Sequence, residues 1–325
     1  MRATARPRLL LTRRLPASVE ARLAERYVLT PNHGDIPLDR AALAHAMVDQ
    51  DALVPTITDR LDAGLLASPS RRVAVVANFG AGTEHIDLAA ARAAGLPVTN
   101  TPDALTDATA EVAILLMLMT ARRAGEGERE VRRGAWSGWR PTHLIGRGLS
   151  GRTLGLVGFG RIAQTTARRA AALGMTIRYH SRRPADPSVE AALSATRAAS
   201  LAALVAEADI VSLHVPGGPE TAHLVDAALL RMMKSDAILI NTARGTVVDE
   251  AALAAALHHG LIAAAGLDVY EREPAITHAL LACENAVLLP HLGSATIEAR
   301  TAMGMQAADN LDAFFAGREP PNRVA

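Results

Sequence analysis

Residues Leu154–Ala163 have the sequence LGLVGFGRIA and carry the clearest fold signal in the chain. An apolar run leads into Gly158, Gly160 and the small Ala163, and the helical pattern ARRAAALG and a further apolar run follow. This spacing predicts a strand, a tight turn at Gly158 and a helix whose free amides favour a pyrophosphate close to Gly160. A plain strand-to-helix turn is the alternative, and the strand-helix-strand setting favours a dinucleotide.

Similar alternation of apolar runs and helical patterns extends over most of the chain. ALVPTI, VAVVAN and LPVTNTP precede the glycine turn, and DIVSLHVP, AILINTARG, AAAGLDVY and NAVLLPHL follow it. Strands separated by helices build parallel sheets that are covered on both faces. The pattern predicts an α/β fold with two doubly wound parallel-sheet lobes and a ligand-binding cleft between them.

The joints between the lobes are expected at TNTPDALTD, near residue 100, and at LLPHLGSATIEAR, near residue 291. The last segment, TAMGMQAADNLDAFFAG, is helical and too short to form a domain, so we expect it to return to the first lobe. The predicted domains are therefore a discontinuous substrate-binding domain, residues 1–100 and 292–325, and a dinucleotide-binding domain, residues 101–291.

The composition excludes several classes of protein. The 325 residues are 50% apolar, and 34 basic and 33 acidic residues leave a formal net charge of +1, which argues against nucleic-acid binding. Cys283 is the only cysteine, so no intrachain disulfide or thiolate zinc site can form, no metal is expected, and a reducing cytoplasm fits. No apolar run is long enough for a membrane span, and the arginine-rich start is better explained by a strand and helix than by a targeting peptide.

The segment TIRYHSRR, residues 176–183, lies about twenty residues after the glycine turn, where an NAD-binding fold places an acid on the adenosine ribose. Here Ser181, Arg182 and Arg183 follow the predicted strand instead. Guanidinium groups match the 2′-phosphate of NADP and offer no acceptor to a free ribose. Because nearly all basic residues of the chain are arginines, two solvated surface arginines are the alternative.

Three polar residues follow predicted strands of the second lobe. Arg244 lies in INTARG, Glu273 in GLDVYEREP and His291 in LLPHLGSAT. Each alone has an ordinary explanation, such as a surface charge or a capping histidine. At neighbouring strand ends they would meet, and a carboxylate beside an imidazole stabilises the charged ring that a general acid needs.

With these motifs the chain resembles the D-isomer-specific 2-hydroxyacid dehydrogenase family over nearly its whole length. The resemblance rests on NFGAGTEHID, the GxGxxA turn, NTARG, GLDVYEREP and LLPHLGSAT. GAWSGWRPTHLIGR and HLGSATIEAR are most similar to the glyoxylate and hydroxypyruvate reductase branch. The resemblance implies a Rossmann domain and a flavodoxin-like substrate domain, and reduction of glyoxylate to glycolate and of hydroxypyruvate to D-glycerate. Ser181, Arg182 and Arg183 indicate NADPH as the preferred cofactor.

The resemblance also implies roles for single residues. Arg244 matches the arginine that holds the substrate, Glu273 the acid that pairs with histidine, and His291 the proton donor. Glu273 is chosen over Glu271 because the family acid directly precedes proline, so Glu271 is expected to face solvent. The other implied substrate contacts are Ala81 and Gly82, through their backbone amides, Ser294, and Trp139 from a partner subunit.

The implied cofactor contacts extend from the glycine turn to the ends of several strands. They are Thr109, Gly158, Phe159, Gly160, Arg161, Ile162, Ser181, Arg182, Arg183, Pro216, Thr221, Thr242, Ala243 and Asp268. The segment HVPGGPET departs from the family pattern by its two glycines, while His85 in GTEHID is expected to be structural.

The resemblance further implies a homodimer whose contacts involve residues 125–148. A small hydrophobic patch in a loop is the alternative explanation of Trp136 and Trp139. Other possible activities are those of phosphoglycerate, D-lactate or phenylpyruvate dehydrogenases, and more remotely that of a dinucleotide-sensing corepressor. The balanced charge and the tryptophan segment argue against the corepressor.

Overall fold

The structure, a computed structural model, describes residues 6–325, which fall into two compact units. The first unit runs to Leu105 and resumes over Ala295–Ala325, and the second comprises Thr106–Ser294. The boundaries therefore lie a few residues beyond the expected joints near residues 100 and 291. Each boundary lies at or just before the start of a long helix, Thr106–Ala121 or Ile297–Phe315, and the whole helix packs with one unit.

In the first unit, strands alternate with short helices. They are β1 (Arg8–Leu11), α1 (Ala17–Ala24), β2 (Val28–Pro31), α2 (Arg40–Asp49), β3 (Ala52–Val54), α3 (Ala63–Leu66), β4 (Val75–Ala77), α4 (Leu88–Ala93) and β5 (Val98–Thr99). All the strand pairs are parallel, in the order β2-β1-β3-β4-β5. This is the flavodoxin-like order, and β3 and β4 are buried along their whole length, as expected for strands covered on both faces.

The second unit contains a larger parallel sheet. Its elements are α5 (Thr106–Ala121), α6 (Ala124–Arg132), β6 (Thr153–Val157), α7 (Arg161–Ala172), β7 (Thr176–His180), α8 (Pro187–Leu193), β8 (Ala195–Arg197), α9 (Leu201–Glu207), β9 (Ile210–Leu213), α10 (Ala227–Met232), β10 (Ile238–Asn241), a 3₁₀ turn (Gly245–Val247), α11 (Glu250–His258), β11 (Ala264–Leu267), α12 (His278–Leu281) and β12 (Ala286–Leu288). The strand order is β12-β11-β10-β9-β6-β7-β8. From β8 to β11 this is the Rossmann order, with β12 added at the edge, and the predicted fold class is confirmed.

The final helix, α13 (Ile297–Phe315), belongs to the first unit. Its buried residues Ala307, Ala308 and Leu311 share an apolar cluster with residues of β1, β3 and β4. The chain then ends beside β5, where the Val324 N–H donates to the Val98 carbonyl at 2.8 Å. The helix and the end of the chain thereby complete the core of the first unit.

Candidate active site

The predicted acid and histidine form a hydrogen-bonded pair in the second unit. Glu273 follows β11 and His291 follows β12, and because these parallel strands are neighbours, both residues lie at the same edge of the sheet. His291 Nδ1 lies 2.7 Å from Glu273 Oε2, and about a third of each side chain is exposed, 33% and 31% respectively. Since Nδ1 faces the carboxylate, Nε2 is the ring nitrogen left to exchange a proton with a ligand.

The backbone fixes Glu273 from the other side. Its second oxygen, Oε1, accepts a hydrogen bond from the Tyr270 N–H at 2.9 Å. Burial by itself raises the pKa of Glu273, but the hydrogen bond and charge of His291, the Tyr270 N–H and the charge of Arg244 together hold that pKa below its ordinary value. The carboxylate therefore stays ionised to a lower pH than that of an ordinary glutamate.

Asp268 anchors the segment that carries His291. The Asp268 side chain is only 1% exposed, and its two oxygens accept hydrogen bonds from the N–H groups of Leu292, at 2.6 Å, and Gly293, at 2.8 Å. Burial raises the pKa of Asp268 above its ordinary value, and the two N–H donors oppose that rise. Thr109, on α5, donates to the Gly293 carbonyl at 3.0 Å. Asp268 and Thr109, both expected at the cofactor, thus hold the segment that carries His291 in place.

Arg244 follows β10, the next strand of the sheet, and is partly exposed. Asn241 closes the turn before it: its side-chain oxygen accepts from the Ala243 N–H and its side-chain nitrogen donates to the Arg244 carbonyl, both at 3.0 Å. After the turn, a Cβ on Gly245 would stand 1.8 Å from the Tyr270 carbonyl carbon, so only glycine fits there. This close approach brings the Arg244 turn against the segment that contains Glu273.

Two residues of the Arg244 turn were expected along the cofactor. Thr242 and Ala243 are each 8% exposed. The Thr242 hydroxyl oxygen is buried and has no hydrogen-bond partner among the residues that the structure describes. Buried hydroxyl groups are normally satisfied, so this one has an unused capacity that a ligand or a water molecule can fill.

Glu271, which was expected to face solvent, is partly exposed and also has a side-chain partner. Its Oε1 lies 2.8 Å from His223 Nε2, and 27% of its side chain is exposed. The hydrogen bond to Glu271 raises the pKa of His223 above its ordinary value. The acid therefore ties the segment after β11 to the segment after β9, a long-range contact that the local sequence does not reveal.

The glycine turn leaves open space beside the start of a helix. Gly158 has a φ of +87°, and a Cβ there would lie 2.5 Å from the His214 carbonyl oxygen. Gly160 is the N-cap of α7. Among the residues that the structure describes, no side chain caps that helix, and nothing stands within 4 Å of a Cβ built on Gly160. Uncapped amides beside open space fit a phosphate group. Arg161, exposed, and Ile162, half-buried, are the first residues of the helix.

Phe159, between the two glycines, packs into the core. The side chain is 8% exposed, and its ring stacks on Tyr179 with the centroids 4.0 Å apart and the planes at 15°. This stack joins the glycine turn to β7, which leads into the expected phosphate site. Phe159 can therefore contact a cofactor only through its backbone.

Ser181, Arg182 and Arg183 form an exposed turn after β7. The Ser181 hydroxyl donates to the Arg183 carbonyl at 2.6 Å and so shapes the turn itself. Arg182 Nη1 lies 2.7 Å from Glu220 Oε2, with 82% and 79% of the two side chains exposed. Glu220 lies in the HVPGGPET segment, where the Thr221 hydroxyl donates to the Pro216 carbonyl at 2.7 Å.

A third guanidinium group lies at this turn. Arg197 ends β8, and its Nη2 donates to the Ser181 carbonyl at 2.9 Å. The sequence pattern does not reveal Arg197, because β8 is only three residues long and its pairing with β7 is a non-local contact. Arg197 could be found only from the register of the sheet, in which it pairs with Tyr179 of β7.

The expected carboxylate loop lies after β4 in the first unit. Ala81 and Gly82 are partly exposed. The Ala81 carbonyl accepts a hydrogen bond from Asn100 Nδ2 at 2.8 Å, and the Gly82 carbonyl accepts one from Asn78 Nδ2 at 2.9 Å. Both carbonyl groups of the loop therefore bind side chains of their own unit.

The segment after α6 exposes several apolar side chains. Trp139 is 82% exposed, Trp136 54% and Ile145 64%. Ser294 is the last residue of the second unit and is partly exposed.

Among residues 6–325, no group of histidine, cysteine or acidic side chains could hold a metal ion, and no helix combines the length and apolar character that crossing a bilayer requires.

Comparison with known proteins gives consistent matches. The sequence model of the family described as D-isomer specific 2-hydroxyacid dehydrogenase, NAD binding domain, matches residues 114–293. The glyoxylate reductase of Thermococcus litoralis is 42% identical over 323 residues, which cover 98% of this chain and 97% of that protein. The structure of the TT0316 protein of Thermus thermophilus has a TM-score of 0.90 at 44% identity and covers 98% of this chain and 100% of that one. The NADPH-dependent glyoxylate/hydroxypyruvate reductase of Sinorhizobium meliloti, solved with NADP and malonate, has a TM-score of 0.86 at 38% identity, with 99% and 97% covered.

Proposed function

Because the chain belongs to the D-isomer-specific 2-hydroxyacid dehydrogenase family, we propose that it uses NADPH to reduce glyoxylate to glycolate and hydroxypyruvate to D-glycerate. In each reaction one 2-oxoacid, one NADPH and one proton give one 2-hydroxyacid and one NADP⁺. The observation that carries the proposal is the pair of His291 Nδ1 and Glu273 Oε2, 2.7 Å apart at the edge of the sheet that also bears Arg244. Similarity to a glyoxylate reductase and to a glyoxylate/hydroxypyruvate reductase supports the choice of these two substrates.

The side chains of the second unit divide the chemistry on the substrate. His291 donates a proton from Nε2 to the carbonyl oxygen as negative charge develops there, and Glu273 keeps the ring oriented and stabilises its charged form. The Arg244 guanidinium group binds the substrate's carboxylate and carbonyl oxygens, which fixes the carbonyl carbon for attack. Ala81 and Gly82 contribute backbone N–H groups to the carboxylate, and Ser294 is a further contact.

NADPH, when bound, supplies the hydride to the carbonyl carbon. Gly160 and the first amides of α7 would hold its diphosphate, and Thr242, Ala243 and Asp268 would line the nicotinamide site. Arg182 and Arg183 would bind the 2′-phosphate. Arg182 exchanges one anion for another in doing so, because its partner in the structure is the Glu220 carboxylate.

The arginine turn supports NADPH over NADH through charge. Arg197 adds a third cation next to Ser181, and a dianionic phosphate gains more from three cations than a neutral ribose hydroxyl does. A ribose prefers an acceptor, and Glu220 is already paired with Arg182. The proposed preference is therefore a property of the turn and its neighbours together.

We further propose a homodimer formed through residues 125–148. Exposed Trp136, Trp139 and Ile145 are large apolar side chains whose burial against a second copy is favourable. Trp139 is proposed to reach the partner's substrate site. Size measurement in solution tests the dimer, and an unchanged KM for hydroxypyruvate in Trp139→Ala would contradict the role of this side chain.

The experiment that tests the activity is a set of steady-state rates with glyoxylate, hydroxypyruvate, pyruvate and phenylpyruvate, each with NADPH and with NADH. We expect the highest kcat/KM for glyoxylate or hydroxypyruvate with NADPH. A clear preference for phenylpyruvate or pyruvate would assign another specificity within the family. Absence of turnover with all four oxoacids and both cofactors would refute a reductase of this class.

A further inference from the structure

Side chains hold the loop after β4 by its carbonyl groups. The Asn78 side-chain nitrogen donates to the Gly80 carbonyl at 3.0 Å and to the Gly82 carbonyl at 2.9 Å. Asn100 donates to the intervening Ala81 carbonyl at 2.8 Å. Three consecutive carbonyl groups are therefore bound by two asparagine side chains, and the orientation of this stretch of backbone is determined from within the unit.

The N–H groups of the same loop remain available. Those of Ala81, Gly82 and Thr83 have no hydrogen-bond acceptor among residues 6–325, although the carbonyl groups around them are satisfied. All three residues are partly exposed. Successive free backbone N–H groups in a turn are donors for an anion, and a carboxylate is an anion of suitable size. The asparagine contacts thus select the face that the loop offers to a ligand.

His85 determines the orientation of Asn78. Asn78 is fully buried, and its side-chain oxygen lies 2.9 Å from His85 Nε2. Because the Asn78 side-chain nitrogen serves the two carbonyl groups, the oxygen must accept, and His85 must present a protonated Nε2. Without that donor, the Asn78 amide could turn and place its oxygen against the loop carbonyls, where it would repel them.

Asn100 is held from the other end of the chain. Its carbonyl accepts from the Asn310 side chain at 3.3 Å, and its N–H donates to the Asn322 carbonyl at 3.1 Å. Asn310 is fully buried on α13 and also accepts the Asn322 N–H at 3.0 Å. The final helix and the last residues of the chain therefore fix the asparagine that binds the centre of the loop.

We propose that Asn78, Asn100 and His85 are positioning residues that turn the N–H groups of the loop outward as a carboxylate site. The identity of the carboxylate as the 2-oxoacid substrate rests on the proposed function. The orientation of the loop is inferred from hydrogen bonds within the first unit and does not depend on the proposed function. His85 would accordingly influence the affinity for the substrate without touching it.

Paired variants of His85 test this proposal. His85→Leu removes the donor to Asn78, and His85→Gln keeps an N–H donor on a side chain of similar reach. We expect His85→Leu to raise the KM for glyoxylate by about tenfold, the size of one lost hydrogen bond to a charged group, with a smaller change in kcat and an unchanged dissociation constant for NADPH. His85→Gln should restore most of the affinity. Replacement of the exposed His45 by leucine in the same unit is the matched control.

A second measurement separates this proposal from the proposed function. Oxalate carries carboxylates and cannot be reduced, so calorimetric binding of oxalate to the NADPH-bound protein does not depend on turnover. We expect weaker oxalate binding in His85→Leu and in Asn100→Ala, at unchanged NADPH affinity. If the wild-type protein reduces no oxoacid yet shows this pattern with oxalate, only the proposed function fails. Equal oxalate affinity in the wild type and His85→Leu, or equal weakening by His85→Gln and His85→Leu, would overturn the positioning role.

Discussion

The Glu273–His291 pair and the arginine turn belong to the same unit, and their side chains are held in opposite ways. Glu273 and His291 each have a side-chain partner and a backbone constraint, and buried Asp268 fixes the segment after β12. At the arginine turn, Arg182 is 82% exposed and its bond to Glu220 joins two solvated side chains. Proton transfer requires fixed geometry, while recognition of a phosphate by charge tolerates mobile cations. Substitutions at the pair should therefore affect the rate of chemistry, and those at the turn the choice of cofactor.

The largest effect is expected for His291→Ala. Loss of the proton donor should lower kcat for glyoxylate by about 100- to 10,000-fold, the usual contribution of a general acid. NADPH binding, measured by the fluorescence of the bound nucleotide, should be nearly unchanged, because His291 pairs with Glu273 and is not one of the proposed cofactor contacts. Turnover at the wild-type rate in this variant would remove His291 from the mechanism.

Glu273→Gln should have the next largest effect, about a 100-fold loss of kcat, because the amide cannot stabilise a charged imidazole.

The pH dependence of activity that arises from Glu273 has a defined sign. The pKa of Glu273 lies below its ordinary value of 4.5, so the contribution of its ionised carboxylate is present above that value and is lost as pH falls through the lowered pKa. Profiles of kcat/KM for the wild type should therefore show no loss from Glu273 protonation above about pH 4.5. A loss of activity that is the same in Glu273→Gln as in the wild type across this range would show that it arises elsewhere.

Replacement of both Arg182 and Arg183 by alanine should change cofactor choice more than chemistry. We expect the KM for NADPH to rise by at least about tenfold, since exposed charge-assisted contacts are modest individually, and the KM for NADH to change little. High ionic strength should weaken NADPH binding to the wild type more than to the double variant. Equal increases for the two nucleotides would reduce both arginines to surface charges.

The smallest effect is expected for Arg197→Ala, a rise of about threefold in the KM for NADPH. Its guanidinium group approaches the turn through the Ser181 carbonyl, and in the proposed function it is one of three cations around the 2′-phosphate. Arg178→Ala is a matched control, because Arg178 lies on the neighbouring strand β7 and pairs with Glu207 at 2.9 Å. If Arg178→Ala raises the KM for NADPH as much as Arg197→Ala does, the specific role of Arg197 is wrong.

The sequence predicts the parts of this molecule that depend on local patterns. The GxGxxA spacing predicts the turn and helix after β6, and the strand-end motifs predict that Arg244, Glu273 and His291 follow neighbouring strands. Contacts between distant segments could not be predicted in the same way, because they depend on strand order and register. Arg197 on a three-residue strand and the bond between Glu271 and His223 are of this kind.

Roles of single polar atoms were equally hidden. An aspartate near a strand end suggests a ligand contact, and the sequence does not reveal that both Asp268 oxygens also accept backbone N–H groups after His291. The hydroxyl of Ser181 likewise serves its own turn. Asn100 and Asn310 lie 210 residues apart in the chain and meet only in the folded unit. Residue type indicates which chemistry is available at such positions, and packing decides where it is used.

The central claim, that this chain transfers reducing equivalents from NADPH to a short 2-oxoacid, is tested most directly by the stoichiometry of one reaction. Purified protein is incubated with limiting NADPH and excess glyoxylate, the loss of absorbance of NADPH is recorded, and glycolate is quantified by chromatography. We predict one glycolate formed for each NADPH oxidised, and none with His291→Ala on the same timescale. Oxidation of NADPH without glycolate, or no oxidation by the wild-type protein, would contradict the claim.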